Sequence, residues 1–376
     1  MVAIQEVTAK AVVNSIPHTK FSVTKGLSCR LSMNTSFGCE TSCSYCYIRY
    51  LARWKGIEPN DIFRDIRVRV NAPQCLEKEL RGRAKEWMWI GSTQDPYQGF
   101  EERYRLMRGC LSVLGEERFP YEIITKSPLV ARDADLLARS RDVGFVSMSL
   151  FSSLDDKKRS RIELKARPVR ERLEALAHLN AANVRTMALL LPIIPGYSDD
   201  TGEIRELLRE VRRAGTTRLY AGVMRLYPVT WSAMQRMMAP SISGLRDHID
   251  RIYNGPDHSI SASARVPARG YRRALMAAIG TIAREEGFTQ YQCEDNFFDL
   301  WFGPQDEHAG FRYSIHYDFW RARNDLGGEP LTLANALAIA RSFHHTLSFL
   351  RSIETNLPLL NRLTDPAVIE AECDDE

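Results

Sequence analysis

The chain lacks a hydrophobic run long enough to cross a membrane. No stretch of its 376 residues approaches the roughly 18 consecutive apolar residues that a span needs. Residues 1–20 mix charges and contain no apolar core of the kind that secretory signals carry. Internal repeats and low-complexity segments are also absent. We therefore expect a soluble, cytoplasmic globular protein with no membrane partner.

A large excess of charge of either sign is missing as well, since 51 Lys and Arg against 47 Asp and Glu give a net charge of +4. The charge is uneven along the chain, because residues 365–376 hold six acidic side chains and no Lys or Arg. Residues 1–364 therefore carry +10. This basic body favours phosphate-bearing partners, and a solvated, arginine-rich surface is the alternative. We expect the acidic tail to be disordered.

Paired cysteines are scarce outside one segment. Five of the eight cysteines stand singly, at Cys29, Cys75, Cys110, Cys293 and Cys373. A structural zinc site normally takes four ligands, often as two close pairs. A disulfide framework needs an even set of cysteines in a secreted chain. The scattered cysteines supply neither pattern.

The other three cysteines lie in Cys39-Glu-Thr-Ser-Cys43-Ser-Tyr-Cys46, directly after Ser36-Phe37-Gly38. A loop with this spacing can wrap three thiolates around one [4Fe–4S] cubane, each on a different iron. Such a cluster normally takes four cysteines, so one iron stays open to another ligand. The spacing predicts an iron–sulfur centre at Cys39, Cys43 and Cys46. A zinc site and a chance grouping of thiols in a core are the alternatives.

Six apolar segments alternate with helical ones between the N-terminal region and residue 230. The predicted strands are residues 26–37, 87–90, 121–125, 145–150, 186–194 and 218–227. Apolar strands separated by helices indicate an α/β fold, in which helices cover a parallel sheet. In parallel barrels the chemistry lies at the carboxyl ends of the strands, where polar residues follow several of these segments.

The pattern divides the chain into four regions. Residues 1–24 read as an N-terminal extension without a clear period, and residues 25–230 contain the alternating strands and helices. Residues 231–364 are predicted to form a mostly helical accessory region that covers the barrel mouth as a lid. Residues 365–376 form the acidic tail.

The cysteine motif and the strand pattern together resemble the radical S-adenosylmethionine (SAM) enzymes. Residues 25–230 resemble the spore photoproduct lyase branch of that superfamily. The resemblance implies a partial (β/α)6 TIM-type barrel, a [4Fe–4S] cluster and SAM as cofactors. Tyr45 and Tyr47 flank Cys46 as tyrosines do in the lyases, which makes them candidate catalytic residues. Packing against the cluster and the adenine is the alternative role of both rings.

Several segments resemble the SAM-binding segments of these lyases. Thr125-Lys126 matches a strand end whose lysine is expected to pair with the SAM carboxylate, and a surface lysine is the alternative. A serine of the following strand contacts the same carboxylate, which either Ser147 or Ser149 would supply. Residues 93–98, Thr-Gln-Asp-Pro-Tyr-Gln, resemble a further lyase segment, and residues 191–196 resemble the segment that packs along the adenine. The cofactor-binding candidates are therefore Thr93, Gln94, Asp95, Lys126, Ser147, Ser149, Ile194 and Pro195.

Ser92 is a departure from the lyase pattern. The resemblance aligns it with a cysteine that supplies a hydrogen atom to the product radical, and an alcohol is a far poorer hydrogen-atom donor than a thiol. Cys293 is a candidate substitute donor, and a small buried hydrophobe is its alternative role. Glu163 falls where lyase-like proteins carry a Glu-Pro element. It would either touch the cofactor or hold the loop through a salt bridge.

The resemblance implies an enzyme in which reductive cleavage of SAM gives a 5′-deoxyadenosyl radical that abstracts a hydrogen atom from the substrate. We predict a small-molecule substrate of the nucleoside or nucleotide type. The alternatives are a spore photoproduct lyase-like DNA repair enzyme, with nucleic acid as partner, and a non-catalytic iron–sulfur module. A reductant such as flavodoxin or ferredoxin is the expected protein partner.

Overall fold

The computed structural model describes residues 2–15, 31–54, 56–83, 85, 88–237, 245–254, 259–261, 264–293, 301–302, 323, 329–342, 357 and 361. The strands are β1 (Ala3–Val7), β2 (Val13–Ser15), β3 (Leu31–Met33), β4 (Ser36–Phe37), β5 (Asp65–Arg69), β6 (Met88–Ile90), β7 (Tyr121–Thr125), β8 (Gly144–Ser149), β9 (Thr186–Ile193), β10 (Arg218–Val223), β11 (Ser259–Ser261), β12 (Ala264–Val266), β13 (Gln290–Cys293) and β14 (Trp301–Phe302). The acidic tail lies outside the described residues.

The helices lie between and after these strands. They are α1 (Ile48–Trp54), α2 (Ala72–Leu80), α3 (Phe100–Tyr104), α4 (Leu106–Glu116), α5 (Ala134–Arg139), α6 (Asp156–Ile162), α7 (Val169–Ala181), α8 (Thr201–Arg213), α9 (Pro228–Met237), α10 (Leu245–Asn254), α11 (Arg269–Glu285) and α12 (Leu333–Ser342). Among the described residues, no helix is both long and apolar enough to span a bilayer.

The central sheet has the strand order β14-β13-β10-β9-β8-β7-β6-β3-β2. Every pair from β3 to β13 is parallel, while β2 and β14 pair antiparallel at the two edges. Consecutive parallel neighbours joined by helices are the arrangement of an α/β barrel, so the predicted fold class is confirmed. The sheet also has a seventh parallel strand, β13, which the aromatic-rich sequence around it did not reveal.

The two faces of the sheet are both apolar, as buried parallel strands require. Outward side chains such as Ile123, Val146 and Leu190 join the main core beneath the helices. Inward side chains form a second, smaller cluster: Trp89, Ile124, Phe145, Met187, Leu189, Leu191 and Tyr220. This inner cluster is the floor on which the functional site is built.

Local sequence explains where several barrel helices begin. The Asp200 carboxylate caps α8 by accepting the Glu203 N–H at 2.8 Å, and Asp155 caps α6 by accepting the Lys157 N–H at 2.8 Å. α8 then buries Ile204 and Leu207 against the sheet.

Two features of these elements were not visible in the sequence. The N-terminal region, which shows no clear period in the sequence, contains two strands, since β1 pairs with β5 and β2 pairs with β3. The helical segment after β6 is divided into α3 and α4 at Arg105, which has a left-handed φ of 49°. Sequence periodicity does not mark this interruption, because the apolar spacing continues on both sides of it.

Candidate functional site

The cysteine loop, residues 38–46, connects β4 to α1. Cys39 and Cys43 are buried, and Cys46 is partly buried. Gly38 begins the loop with φ of 90°, and a Cβ atom there would lie 2.6 Å from the Asp65 carbonyl oxygen. Only glycine fits this turn without moving the backbone. The turn sends the three thiols toward the carboxyl ends of the barrel strands.

Residues 162–165, at the end of α6 and just after it, hold one side of this loop. The Ser44 N–H donates to the Ile162 carbonyl at 2.9 Å, and the Lys165 N–H donates to the Thr41 carbonyl at 3.1 Å. Cys43 and Glu163 form an antiparallel bridge between these two bonds. The loop is therefore positioned like the edge of a short sheet.

Gln98 holds the other side. Its Nε2 donates to the Gly38 carbonyl at 3.2 Å, and its Oε1 accepts the Glu40 N–H at 2.7 Å. Gln94 and Ser36 complete this buried polar group beside Gln98. The predicted segment 93–98 thus contacts the cysteine loop directly.

A cavity of about 490 Å³ opens between the cysteine loop and the strand ends. The three cysteines line one side of it, and the apolar side chains of Trp89, Ile124, Leu189, Leu191 and Tyr220 line the floor. The predicted site residues on its wall are Tyr45, Tyr47, Thr93, Gln94, Asp95, Lys126 and Ser149. The structure therefore brings most of the sequence-predicted site together in one place.

Asp95 connects the cysteine loop to the end of β7. Its carboxylate accepts the Thr125 hydroxyl at 2.6 Å, the Lys126 N–H at 2.8 Å and the Tyr97 N–H at 2.9 Å. The Asp95 N–H points the other way, to the Cys39 sulfur at 3.4 Å. Asp95, in the segment after β6, thus connects the end of β7 to the first cysteine.

Glu163 is the second buried carboxylate of the site. It pairs with the Arg172 guanidinium, accepts the Tyr45 hydroxyl, and lies 3.9 Å from the Lys126 ammonium. Burial alone would raise its pKa, but the charges of Arg172 and Lys126 hold the pKa of Glu163 below its ordinary value. Glu163 therefore stays ionised at neutral pH and binds the loop to the barrel.

Lys126 extends from the end of β7 toward the cavity. Its ammonium donates to the Ser149 hydroxyl at 2.8 Å and lies 5.7 Å from the centre of the Tyr45 ring. Arg172, on α7, donates to the Ser149 carbonyl at 2.9 Å and so fixes the end of β8. Lys126 and Ser149 thus form a hydrogen-bonded polar pair on the cavity wall.

The two tyrosines around Cys46 reach in opposite directions. The Tyr45 hydroxyl donates to Glu163, and the Tyr47 hydroxyl donates to the Ser92 carbonyl. Both hydroxyls are therefore used in holding the loop. Ser92 lines the cavity, while its hydroxyl oxygen is buried and has no hydrogen-bond partner among the described residues.

The thiols of the loop have raised pKa values. Burial raises the pKa of Cys39, and the nearby Asp95 carboxylate adds to the effect. Burial raises the pKa of Cys43 to about 12, although the Lys126 charge opposes it. Each of these thiols also interacts electrostatically with Cys46. The three sulfurs therefore form one coupled group.

The donor set fits an iron–sulfur cluster better than a lone ion. In the described part of the chain, no three His, Cys, Asp or Glu side chains are grouped so that they could hold a metal ion. A cubane spreads its cysteines over different irons, so its ligands need not converge on one point. Three soft sulfur donors beside a cavity with room for a further ligand suit such a cluster.

The structure separates four predicted residues from the cavity wall. Ser147 is buried inside the barrel, where its hydroxyl donates to Glu122. Ile194 and Pro195 are buried beyond the end of β9, and Leu191 and Pro192 line the cavity in their place. Cys293, on β13, is fully buried in the core beneath the helices. Its thiol therefore does not face the cavity.

Sequence reasoning missed Arg172, the aromatic floor residue Trp89 and the cavity residues Tyr220 and Tyr227. Arg172 lies on a helix between ordinary surface charges, and only its burial distinguishes it. Trp89 and Tyr220 lie within β6 and β10, and Tyr227 follows β10. Their sequence signal is weak, because an aromatic residue that packs in a core cannot be told in the sequence from one that contacts a ligand.

Residues 33–223 match the family model described as "Radical SAM superfamily". Among curated proteins, an uncharacterized protein of Mycobacterium tuberculosis is 28% identical over 220 residues, covering 57% of this chain and 63% of the relative. An uncharacterized protein of Methanocaldococcus jannaschii is 27% identical over 203 residues, covering 53% of this chain and 70% of the relative. The match thus spans less than two thirds of the mycobacterial relative's length.

Solved structures of spore photoproduct lyase have a similar fold. A tyrosine-to-phenylalanine variant aligns with a TM-score of 0.58 at 15% identity, covering 77% of this chain and 81% of that chain. A variant with bound AdoMet and dinucleoside spore photoproduct aligns with a TM-score of 0.55 at 15% identity, covering 75% of this chain and 78% of that chain. At these identities the likeness concerns the fold alone.

Proposed function

The chain belongs to the radical SAM superfamily, and from this premise we propose that it converts a nucleoside- or nucleotide-type small molecule at the cavity beside Cys39, Cys43 and Cys46. The superfamily implies a [4Fe–4S] cluster and SAM as its cofactors. When bound, these cofactors supply a 5′-deoxyadenosyl radical that abstracts a hydrogen atom from the substrate. An oxygen-sensitive cluster needs reducing surroundings, so we also propose a cytoplasmic location.

In this proposal the three cysteines hold the cluster, and the barrel wall holds SAM. Lys126 pairs with the SAM carboxylate, and Ser149 orients the lysine through its hydroxyl contact at 2.8 Å. Leu191 and Pro192 pack along the adenine, a role that the sequence had suggested for Ile194 and Pro195. Asp95 and Glu163 act as positioning residues, because their carboxylates contact the chain on either side of the loop.

The chain's other task is to keep the reacting atoms close and to exclude water. The floor of Trp89, Leu189 and Tyr220 is mostly apolar and carries no thiol. Ser92 contributes to the wall, but its hydroxyl oxygen is buried and so is not presented to a ligand in the cavity.

One observation carries the preference for a small molecule over a DNA lesion. A thymine-dimer repair cycle needs a hydrogen-atom donor near the product radical. Apart from the three loop cysteines, no thiol of the described residues lines the cavity, because Ser92 occupies the wall and Cys293 lies in the core. Reduction of a product radical by a cysteine thiol outside the loop is therefore poorly supported.

DNA repair is the second candidate. The basic balance of residues 1–364 favours it, and one lyase structure of similar fold has a dinucleoside spore photoproduct bound. A non-catalytic iron–sulfur module is the weaker alternative. Such a module would have no use for a lysine held at the cavity by Ser149 and Glu163.

Anaerobic reconstitution tests the cluster. We expect about four irons and four sulfides per chain, as a cubane requires, with a broad brown absorption band. Replacing Cys39, Cys43 or Cys46 by Ala should abolish the cluster, whereas Cys110→Ala, in the core behind the sheet, should retain it. Zinc without sulfide in the reconstituted protein would rule out the proposal.

An incubation with SAM and a chemical reductant tests the substrate class. Nucleosides, nucleotides and a damaged oligonucleotide are compared, and 5′-deoxyadenosine is measured by mass spectrometry. We expect a free nucleoside or nucleotide to stimulate 5′-deoxyadenosine formation, with substrate deuterium appearing in that product. Rapid repair of spore photoproduct in the oligonucleotide would instead assign the protein to DNA repair.

A further inference from the structure

The segment that follows β10, residues 224–227, borders the cavity, and we call it the β10 lip. Arg225 and Tyr227 are half-buried and line the cavity, whereas Leu226, between them, is buried in the core. Among the described residues that line the cavity, the cations are Arg225 and Lys126. The β10 lip therefore places a positive charge and an aromatic ring on the same wall.

The backbone of the β10 lip is held on both sides of its arginine. The Met224 N–H donates to the Ile193 carbonyl at 2.9 Å, and the Met224 carbonyl accepts the Tyr253 hydroxyl at 2.5 Å. Leu226 exchanges two backbone hydrogen bonds with Arg265, each 2.9 Å long. These bonds fix the segment before any ligand binds, which lowers the conformational cost of binding.

Tyr227 gives the β10 lip its aromatic surface. Its ring packs against that of Tyr50, on α1, with the ring centroids 5.1 Å apart and the planes at 31°. Burial raises the pKa of Tyr227, and the charge of Arg225 opposes that rise, so the two side chains lie close enough to interact. A planar ring beside a guanidinium suits a ligand that combines an aromatic ring with an anionic group.

The two cations of the cavity wall lie at different places on the sheet. Lys126 follows β7 and Arg225 follows β10, with β8 and β9 between them. Three strand spacings of about 4.8 Å place these positions about 14 Å apart along the sheet. SAM has one carboxylate, which pairs with Lys126 in the proposed function, and its adenosine part carries no negative charge. An anion at Arg225 would therefore have to come from the substrate.

We propose that Arg225 binds the phosphate of a nucleoside monophosphate substrate and that Tyr227 stacks on its base. This inference rests on the proposed function and deepens it, since it selects a phosphorylated substrate over a free nucleoside. A guanidinium can donate two parallel hydrogen bonds to one phosphate, and an aromatic ring can stack on any base. No covalent bond forms or breaks in this binding step.

The number of cations on the described wall selects the size of the ligand. One guanidinium matches one phosphate group. A diphosphate or triphosphate would bring further negative charge toward a wall whose other cation, Lys126, already lies 3.9 Å from Glu163. A nucleic-acid strand carries a phosphate at every nucleotide and is usually bound by several cations along its path. A monophosphate therefore fits this wall best.

A comparison of nucleosides with their monophosphates tests the phosphate contact. The probes are adenosine, guanosine, cytidine and uridine and the 5′-monophosphate of each, added anaerobically to the reconstituted protein with SAM. Arg225→Met removes the charge, and Arg225→Lys keeps the charge without the planar fork. Arg213→Met is the control, because it removes an exposed arginine of α8 outside the cavity. Calorimetry measures affinity, and mass spectrometry measures 5′-deoxyadenosine.

We expect at least one monophosphate to bind the wild type roughly ten- to a hundredfold more tightly than its nucleoside, because a charge-assisted contact is added. Arg225→Met should lose this preference, Arg225→Lys should recover part of it, and the control should keep it. Tyr227→Leu should weaken a nucleoside and its monophosphate by the same factor, so that the preference remains. Iron content and SAM affinity should match the wild type in every variant, which a general loss of structure would not allow.

A preference for the monophosphate that persists in Arg225→Met would overturn the inference. A loss of SAM affinity in that variant would also overturn it, because Arg225 would then contact SAM. So would a short single-stranded DNA that binds more tightly than every monophosphate and depends on Arg225.

Two further outcomes separate this inference from the proposed function. If a monophosphate binds through Arg225 but no probe yields 5′-deoxyadenosine, the proposed reaction is overturned and the phosphate site stands. If a nucleoside yields 5′-deoxyadenosine as readily as its monophosphate, the proposed function stands and the phosphate site is overturned.

Discussion

The cysteine loop is held on its two sides by buried carboxylates that work in different ways. Asp95, on the Cys39 side, accepts two backbone N–H groups and one hydroxyl, all from neutral donors. Glu163, on the Cys43 side, contacts the guanidinium of Arg172, the ammonium of Lys126 and the hydroxyl of Tyr45. One side is therefore fixed by the path of the chain, and the other by long side chains from distant elements.

The two sides of the loop therefore differ in rigidity and in charge. The backbone N–H groups that donate to Asp95 cannot change rotamer as side chains do, so the Asp95 side fixes the position of Cys39 relative to β7. Side-chain cations can respond to a ligand, so the Glu163 side can share Lys126 with a bound carboxylate. Lys126 connects both sides, because its N–H donates to Asp95 and its ammonium lies near Glu163. Four predictions test this division, from the largest effect to the smallest.

The largest effect is expected at Arg172. Its guanidinium and the Glu163 carboxylate are almost fully buried, so Arg172→Met would leave a buried carboxylate with only the more distant Lys126 ammonium, at 3.9 Å, to balance its charge. We expect a loss of about 3–5 kcal/mol in the free energy of unfolding. Arg167→Met is the matched control, because the Arg167–Glu171 pair is exposed and contributes only about 0.5 kcal/mol. Denaturant titration of both variants measures the difference.

A double variant sharpens the test of this ion pair. Arg172→Met/Glu163→Gln removes both charges, so it should be less destabilised than Arg172→Met alone. If Arg172→Met loses less than about 1 kcal/mol, the ion pair does not hold this side of the loop.

Arg172 also shows where sequence reasoning stops. The six barrel strands, the cysteine loop and Lys126 follow local patterns, namely apolar runs, close cysteine spacing and a polar residue at a strand end. The pairing of Arg172 with Glu163 depends on how α7 packs against the segment after α6, and no local pattern encodes that. Cys293 fails for the same reason, because the sequence did not show that β13 joins the sheet and turns the thiol into the core.

The seven cations of residues 157–170 illustrate a different limit. They are plain in the sequence, but three of them form ion pairs and the other four form none within the described part of the chain. Only the fold distinguishes the two kinds, and only the fold brings residues 162–165 against residues 41–44. The sequence therefore shows the charge without its place.

The second prediction concerns the residue shared by both sides. Lys126→Ala should weaken SAM binding to the reconstituted protein by about 1.5–3 kcal/mol, roughly ten- to a hundredfold, because a charge-assisted contact to the carboxylate is lost. Iron content should not change. Lys158→Ala, which removes a lysine paired with Glu203 away from the cavity, is the control. Unchanged SAM affinity in Lys126→Ala would place the carboxylate elsewhere.

The third prediction tests the neutral side. Asp95→Asn keeps the shape of the side chain but turns one acceptor oxygen into a donor that meets an N–H or hydroxyl donor. We expect a loss of about 1–3 kcal/mol in the free energy of unfolding, smaller than at Arg172 because no buried ion pair is broken. A loss as large as that of Arg172→Met would show that the Asp95 carboxylate also balances a charge.

The smallest effects are expected from the tyrosine hydroxyls, one on each side. Tyr45→Phe removes a hydrogen bond to the charged Glu163, and Tyr47→Phe removes one to the Ser92 carbonyl from a ring that is 38% exposed. Bonds to charged groups contribute more than neutral ones, so we expect about 1.5 kcal/mol for Tyr45 and about 0.5 kcal/mol for Tyr47. Thermal unfolding of the two variants measures which hydroxyl contributes more to stability.

A tyrosine hydroxyl that acts in the reaction would give a different result. The rate of 5′-deoxyadenosine formation would fall, while SAM affinity and stability would stay unchanged. Because Tyr47 contributes little to holding the loop, a large loss of rate in Tyr47→Phe would assign it to the chemistry, whereas an equal loss in Tyr45→Phe could still arise from a displaced Glu163.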